Sequence, residues 1–259
     1  MCLAAHLSEF LGWTPANVKL LLPPRQSRGN SRLNSLEPTR LSRAAAWFPL
    51  VGLLVGGLAS LGNMLLIPHL ARPLCALIVL FIMVLVTGGL HEDGLADCAD
   101  AFGGGWTRED RLRILKDSRI GSFGAIALIL SFGLRGTLLT AIPANQVLNY
   151  LISAQVLSRW TSLPLGSILP SARGSDGQGG RLAGKMSLSA AVIGTVITAV
   201  VLWCFLRVSA WQPALAVALV TAVSGMYYRQ RIGGITGDCM GATIQISEIA
   251  VYLCGAWMR

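Results

Sequence analysis

The chain alternates long apolar stretches with short polar segments. Each of seven stretches approaches the roughly 20 helical residues needed to cross a bilayer core: 44–66, 73–90, 122–142, 147–167, 187–206, 209–228 and 239–258. The sixth is the weakest because Trp211, Gln212 and Pro213 stand near its start, so six spans are the fallback. The pattern predicts an all-α, polytopic membrane helical bundle. Residues 44–259 form one integral-membrane domain in this interpretation, preceded by a basic arm, residues 1–43.

Composition supports the same class of protein. Hydrophobic residues make up 53% of the chain and charged residues only 13%, against roughly 25% charged residues in an ordinary soluble domain. These values exclude a disordered chain. The net charge of +9 indicates membrane orientation rather than nucleic-acid binding, because basic loops in membrane proteins follow the positive-inside rule.

The basic residues lie on alternate connections between the spans. Sixteen of the 21 Lys and Arg residues fall in the segments 1–43, 91–121, 171–186 and 229–231, against three on the other side. This asymmetry predicts a cytoplasmic N-terminus. Eleven of the twelve acidic residues share those segments or their edge, so we expect the chemistry at the cytoplasmic face.

An acidic decapeptide, residues 91–100, directly follows the second apolar stretch. We expect it to continue the helix of that span until the glycines at 103–105 end it. Asp93, Asp97 and Asp100 would then lie within about 60° of one another around the helix. Hard oxygen ligands without a His or Cys cluster favour Mg²⁺, so the three aspartates are the predicted metal ligands.

A short amphipathic helix is predicted next, opened by a capping box of Thr107 and Asp110. It ends in a polar run that contains Lys116, Asp117 and Arg119 at the mouth of the third span. One carboxylate and two cations in this position could clamp a diphosphate. We therefore count these three residues as candidate catalytic or substrate-binding groups.

Two arginines fall inside apolar stretches, where a cation needs a partner or a wet cavity. Arg159 is nearer the predicted cytoplasmic face and could reach an anionic ligand. Arg135 is deeper, and structural pairing with Glu248 is the alternative to a functional role.

Two glycine-rich segments complete the predicted cytoplasmic surface. Residues 172–181 contain Arg173, which could contact phosphates, although a plain loop remains a fair alternative for this segment. Residues 231–242 contain Gly237 and Asp238, and Asp238 could meet the acidic stripe across the bundle. Neither segment matches a known nucleotide-binding glycine pattern.

Taken together, these motifs resemble the cobalamin synthase family, adenosylcobinamide-GDP ribazoletransferase. The resemblance rests on GGLHEDGLADCAD (88–100), LKDSRIGSFGAIAL (115–128), SRW (158–160), the glycine-rich element at 171–180, and RIGGITGDCMGA (231–242) with Glu248. It covers the chain from about residue 44 onward. The family's acidic motif is matched by Asp93, Asp97 and Asp100. Its run of a basic residue, Asp, Ser and Arg is matched at Lys116, Asp117 and Arg119. Its Thr-Gly-Asp motif is matched at Gly237 and Asp238. Glu92 departs from the family pattern, in which an apolar residue is expected, and Ala101 departs where glycine is usual.

The resemblance implies a Mg²⁺-dependent transferase of the bacterial cytoplasmic membrane, with its active site facing the cytoplasm. Such an enzyme joins adenosylcobinamide-GDP to α-ribazole or its 5′-phosphate and releases GMP, which completes the nucleotide loop of cobalamin. An aspartate that is not fully committed to the metal could accept the ribose hydroxyl proton, and we expect Asp100 to be this general base. Expected partners are these substrates and membrane lipid, without nucleic acid, and the oligomeric state stays open. The alternatives are a phosphatidyltransferase that uses a CDP-activated lipid, whose Ala-Arg element is missing here, and a cation transporter.

Overall fold

The computed structural model describes residues 44–173 and 186–257. Helices dominate this part of the chain, with one isolated parallel bridge between Ser171 and Ile235. The helices are α1 (Phe48–Leu66), α2 (Arg72–Thr87), α3 (Leu90–Gly104), α4 (Arg108–Ile114), α5 (Ser122–Ala141), α6 (Val147–Trp160), α7 (Ser162–Ile168), α8 (Leu188–Leu206), α9 (Trp211–Ile232) and α10 (Gly237–Trp257). The predicted all-α fold is confirmed. The predicted arm, residues 1–43, lies outside the described residues.

Helix α6 is the centre of the bundle. Helices α1, α8 and α10 pack around it, and eleven of its fourteen residues are buried. On the α1 side the two backbones nearly touch, because a Cβ atom on Gly56 would lie 2.7 Å from the Cα atom of Ile152. Small residues allow this kind of close helix packing inside membranes, where there is no hydrophobic drive between helices.

Four stretches among the described residues are long and apolar enough to cross a membrane: Phe48–Leu66, Ser122–Ala141, Leu188–Ile232 and Gly237–Trp257. The bent pair α2 and α3 would make a fifth. The predicted number of seven is therefore not confirmed. One cause is α6, which is apolar because it fills the core and which ends after only fourteen residues. The outer faces carry large exposed apolar side chains, such as Leu54, Ile129 and Val223, as expected of helices that contact lipid.

The acidic helix is not a continuation of the second span. Gly88 and Gly89 both adopt left-handed backbone angles, with φ of 66° and 69°, and α3 leaves α2 at an angle of 92°. Glycine populates this region at little steric cost, so two successive glycines break the helix sharply. The expected straight extension is wrong, whereas the predicted end at the 103–105 glycines is confirmed, since α3 ends at Gly104.

Helix α4 follows directly and lies against the end of α9. Its predicted cap is confirmed: the Thr107 hydroxyl accepts a hydrogen bond from the Asp110 N–H at 3.1 Å. Arg108 donates to the carbonyl oxygens of Ile232, at 3.0 Å, and Ala172, at 3.3 Å. These bonds tie α4 to the end of α9 and to the segment around Ala172, which pairs with Ile235.

Candidate active site

The candidate site lies where α3 crosses the start of α10. A Cβ atom on Gly94 would lie 2.8 Å from the carbonyl oxygen of Asp238. One turn along α10, a Cβ atom on Gly241 would lie 3.3 Å from the Cα atom of His91 and 3.5 Å from that of Gly94. Glycines at both positions let the backbones approach. The crossing therefore brings Asp238 beside the acidic motif, as its position in the sequence suggested.

Three carboxylates lie near enough at this crossing to influence one another electrostatically. Asp93 is exposed, while Asp97 and Asp238 are partly buried. Burial raises the pKa of Asp97 to about 7, and the nearby carboxylates of Asp93, Asp238 and Asp100 add to the effect. Arg173 forms an ion pair with Asp238 at 3.4 Å. Carboxylates that repel one another in this way are well placed to take up a cation, because the cation removes the repulsion.

Within residues 44–173 and 186–257, no group of three or more His, Cys, Asp or Glu side chains is close enough to hold a metal ion by itself. Protein-bound Mg²⁺ commonly uses only one or two carboxylates, with waters and substrate phosphates as its other ligands. The hard oxygen donors of Asp93, Asp97 and Asp238 fit that mode of binding. The predicted set that includes Asp100 stays a prediction.

Asp100 has a different environment from the other acids of the motif. Its carboxylate accepts hydrogen bonds from the backbone N–H groups of Gly121, at 2.7 Å, and Gly124, at 2.8 Å. These N–H groups belong to the first turn of α5, where a negative charge also interacts favourably with the helix dipole. A Cβ atom at either glycine would collide with the carboxylate. Asp100 therefore fastens the acidic helix to α5.

The predicted diphosphate clamp lies on the exposed connection before α5. The guanidinium of Arg119 contacts the Asp117 carboxylate at 2.6 Å, and hydrogen bonds from Arg119 lower the pKa of Asp117 to about 2. The Arg119 side chain is 86% exposed, and Lys116 is also exposed. The structure thus pairs Asp117 with Arg119 and leaves the outer face of the arginine open to solvent.

The first turn of α10 presents backbone donors next to the acids. The Thr236 hydroxyl accepts a hydrogen bond from the Cys239 N–H at 3.3 Å and so caps the helix. Gly237 is exposed at the start of the helix. The N-terminus of a helix attracts anions through its free N–H groups and its dipole. This end of α10, together with Arg173, can therefore contact a phosphate.

A buried polar network lies beneath the acidic helix, and sequence reasoning found only part of it. Arg135 pairs with Glu92 at 3.3 Å and with Glu248 at 3.2 Å, which confirms the structural alternative for Arg135. Gln245 donates to Glu92 at 3.0 Å and accepts from Ser131 at 3.4 Å. The departure from the family pattern at Glu92 is thus explained, because this side chain points away from the acidic stripe and bonds α5 and α10.

Arg159 belongs to the same interior and not to the acidic cluster. Its side chain is buried and donates to the carbonyl oxygen and the side-chain oxygen of Gln155, at 3.0 Å and 2.6 Å. Its contact with an anionic ligand stays a prediction.

Comparison with known proteins places the chain among relatives of similar length. The family described as cobalamin-5-phosphate synthase matches residues 23–256. An adenosylcobinamide-GDP ribazoletransferase of Ralstonia pickettii is 38% identical over 251 residues, which are 95% of each chain. The protein of the same name from Rhizobium etli is 40% identical over 91% of each chain. The one from Prosthecochloris aestuarii is also 40% identical, over 83% of this chain and 88% of its own. No solved structure matches significantly. The chain belongs to the cobalamin-5-phosphate synthase family.

Proposed function

We propose that this chain is an adenosylcobinamide-GDP ribazoletransferase, as its relatives are named. It would join adenosylcobinamide-GDP to α-ribazole or its 5′-phosphate and release GMP. The observation that carries the proposal is the α3–α10 crossing, which sets three carboxylates beside Arg173 and an open helix N-terminus. An attack on a diphosphate needs such a combination, because anionic groups must be bound and their charge neutralised.

We assign the binding of Mg²⁺ to two of the three carboxylates of Asp93, Asp97 and Asp238, which leaves the third without a metal contact. The bound ion would neutralise charge on the diphosphate and make GMP a better leaving group. Arg173 and the N–H groups around Gly237 would bind the phosphate oxygens. Arg119, whose guanidinium faces solvent, is the further cation on this surface that could swing onto the diphosphate, with Lys116 beside it.

In the reaction, a ribose hydroxyl of α-ribazole attacks the phosphorus that carries the cobinamide group. The bond from that phosphorus to the bridging oxygen breaks, and GMP leaves. The hydroxyl proton passes to a carboxylate of the cluster that is not bound to the metal. We place Asp100 outside this step, because both its oxygens are held by the first turn of α5. Arg159 and the Arg135 pairs would support the helices instead of contacting substrate.

The location follows from the fold and the charge distribution. Apolar outer faces support a membrane protein, and the excess of Lys and Arg on one set of connections supports the bacterial inner membrane with the site at the cytoplasmic face. No comparison favours the CDP-activated phosphatidyltransferase or the cation transporter.

The test is product formation by the purified protein in liposomes with adenosylcobinamide-GDP, α-ribazole and Mg²⁺. Replacement of Asp93, Asp97 or Asp238 by Asn should each reduce turnover by at least a hundredfold, roughly the loss of one strong transition-state contact. Asp110→Asn is the matched control, since Asp110 is an exposed acid of α4 away from the crossing. Full turnover in all three variants, or no cobalamin product from the parent protein, would refute the proposal.

A further inference from the structure

An apolar groove runs between α7 and α9 at the same end of the bundle as the candidate site. Its volume is about 330 Å³, far above the roughly 10–15 Å³ that one water molecule requires. The lining is almost wholly apolar and includes Trp160, Pro164, Ile168, Ala218 and Met226. We call it the α7–α9 groove.

The packing of the surrounding helices explains why this space exists. Helix α8 packs on α1, α6 and α7, whereas α9 packs mainly on α10. The two consecutive helices therefore diverge after the turn at Arg207–Ala210. Large apolar side chains next to the groove, such as Ile168 and Val223, are 73% and 60% exposed. A surface of this kind faces lipid in a membrane protein.

One charged side chain, Arg229, lines the α7–α9 groove. It is exposed, in the last turn of α9, and within the described residues its guanidinium has neither an ion pair nor a hydrogen bond. Two arginines of α4 are engaged instead: Arg108 with the Ile232 carbonyl and Arg113 with Asp110. The α7–α9 groove thus combines an apolar length with a cation at one end that has no partner among the described residues.

The position of Arg229 suits the headgroup region of a bilayer. Helix α9 has 22 residues, which at 1.5 Å per residue span about 33 Å, close to the thickness of the hydrocarbon core. Arg229 stands three residues before its end, where long basic side chains reach the interface. An acyl chain in the groove would therefore have its phosphate near this guanidinium.

We propose that the α7–α9 groove binds one acyl chain of an anionic phospholipid, with Arg229 on the phosphate-containing headgroup. Charge complementarity favours anionic phospholipids. A zwitterionic headgroup would bring its own cation to a site that already contains the Arg229 guanidinium. The bound lipid would fill the space between α7 and α9. Helix α7 leads through the Ser171–Ile235 bridge to Arg173, so occupancy would steady the segment that pairs with Asp238.

The experiment measures lipid binding and does not depend on the proposed function. Full-length protein in a neutral detergent is titrated with phosphatidylglycerol and with phosphatidylcholine of the same acyl chains, and bound lipid is counted by native mass spectrometry. We expect phosphatidylglycerol to bind more tightly. Arg229→Gln should weaken that binding roughly fivefold, the effect of one basic residue at an anionic surface, and Ala222→Phe, which puts a ring into the groove, should weaken both lipids.

Arg113→Gln is the matched control, because it removes an exposed charge from α4 without touching the groove. It should leave the affinity for phosphatidylglycerol unchanged. The proposal is overturned if Arg229→Gln and Arg113→Gln have equal effects, if both lipids bind the parent equally, or if inorganic phosphate alone competes fully. The last result would show a simple phosphate site without an acyl chain.

Discussion

Gly94 offers the sharpest test of the α3–α10 crossing. In Gly94→Ala the new methyl group would lie 2.8 Å from the Asp238 carbonyl oxygen, whereas ordinary contact begins at 3.4 Å. The two helices must therefore separate by about 0.6 Å at the point where Gly94 packs on Asp238. A misplacement of about 1 Å can cost a hundredfold in rate, so we expect turnover to fall by roughly tenfold or more. The assay is initial rate of product formation in liposomes, at saturating substrate.

Gly104→Ala is the matched control, because a Cβ atom at Gly104 would meet nothing within 4 Å. Both changes add the same methyl group to α3 and improve its helix propensity by up to about 1 kcal/mol. Neither variant should therefore lose activity through a weaker helix. Equal activity of Gly94→Ala and Gly104→Ala would show that the close crossing does not position the acids.

Three further predictions concern the groups around the crossing. Arg135→Met should lower the free energy of unfolding in detergent by about 3–5 kcal/mol because it leaves two buried carboxylates without their cation. Adding Glu92→Gln and Glu248→Gln should restore at least half of the lost free energy. An unchanged unfolding midpoint in Arg135→Met would contradict the pairing. Asp100→Ala should speed amide hydrogen exchange in the first turn of α5, whose N–H groups lose their acceptor; unchanged exchange would place the carboxylate elsewhere. Chelation of divalent cations should stop turnover, and Asp238→Asn should raise the Mg²⁺ concentration needed for half-maximal rate; a chelator-resistant rate would exclude the metal.

Local signals in the sequence were sufficient for several features. The glycines at 103–105 and the Thr107 cap act within one helical turn, and both set helix ends where predicted. The pairing of Arg135 with Glu248 followed from the free-energy cost of an unpaired cation alone, because an arginine in an apolar helix needs a partner. These arguments succeed because each depends on a few neighbouring residues or on one strong energetic term.

Other features depended on packing that a linear pattern does not contain. Helical periodicity put Asp100 on one stripe with Asp93 and Asp97, yet its carboxylate accepts a hydrogen bond from Gly121, which caps the start of α5. Apolar composition made α6 resemble a membrane span, although it is the short, buried centre of the bundle. Hydropathy is the same for a residue that faces lipid and one that faces protein, so only the fold separates the two.

The double glycine between α2 and α3 decides where the acids can act. At 1.5 Å per residue, a straight helix would carry Asp97 about 15 Å past the end of α2, out of reach of Asp238. Space is not what requires glycine here, since a Cβ atom on Gly88 would meet nothing within 4 Å. The requirement is the left-handed backbone, which costs other residues roughly 1–2 kcal/mol each. Without the two glycines, the acidic helix would project into solvent. With them, it forms one wall of a binding site.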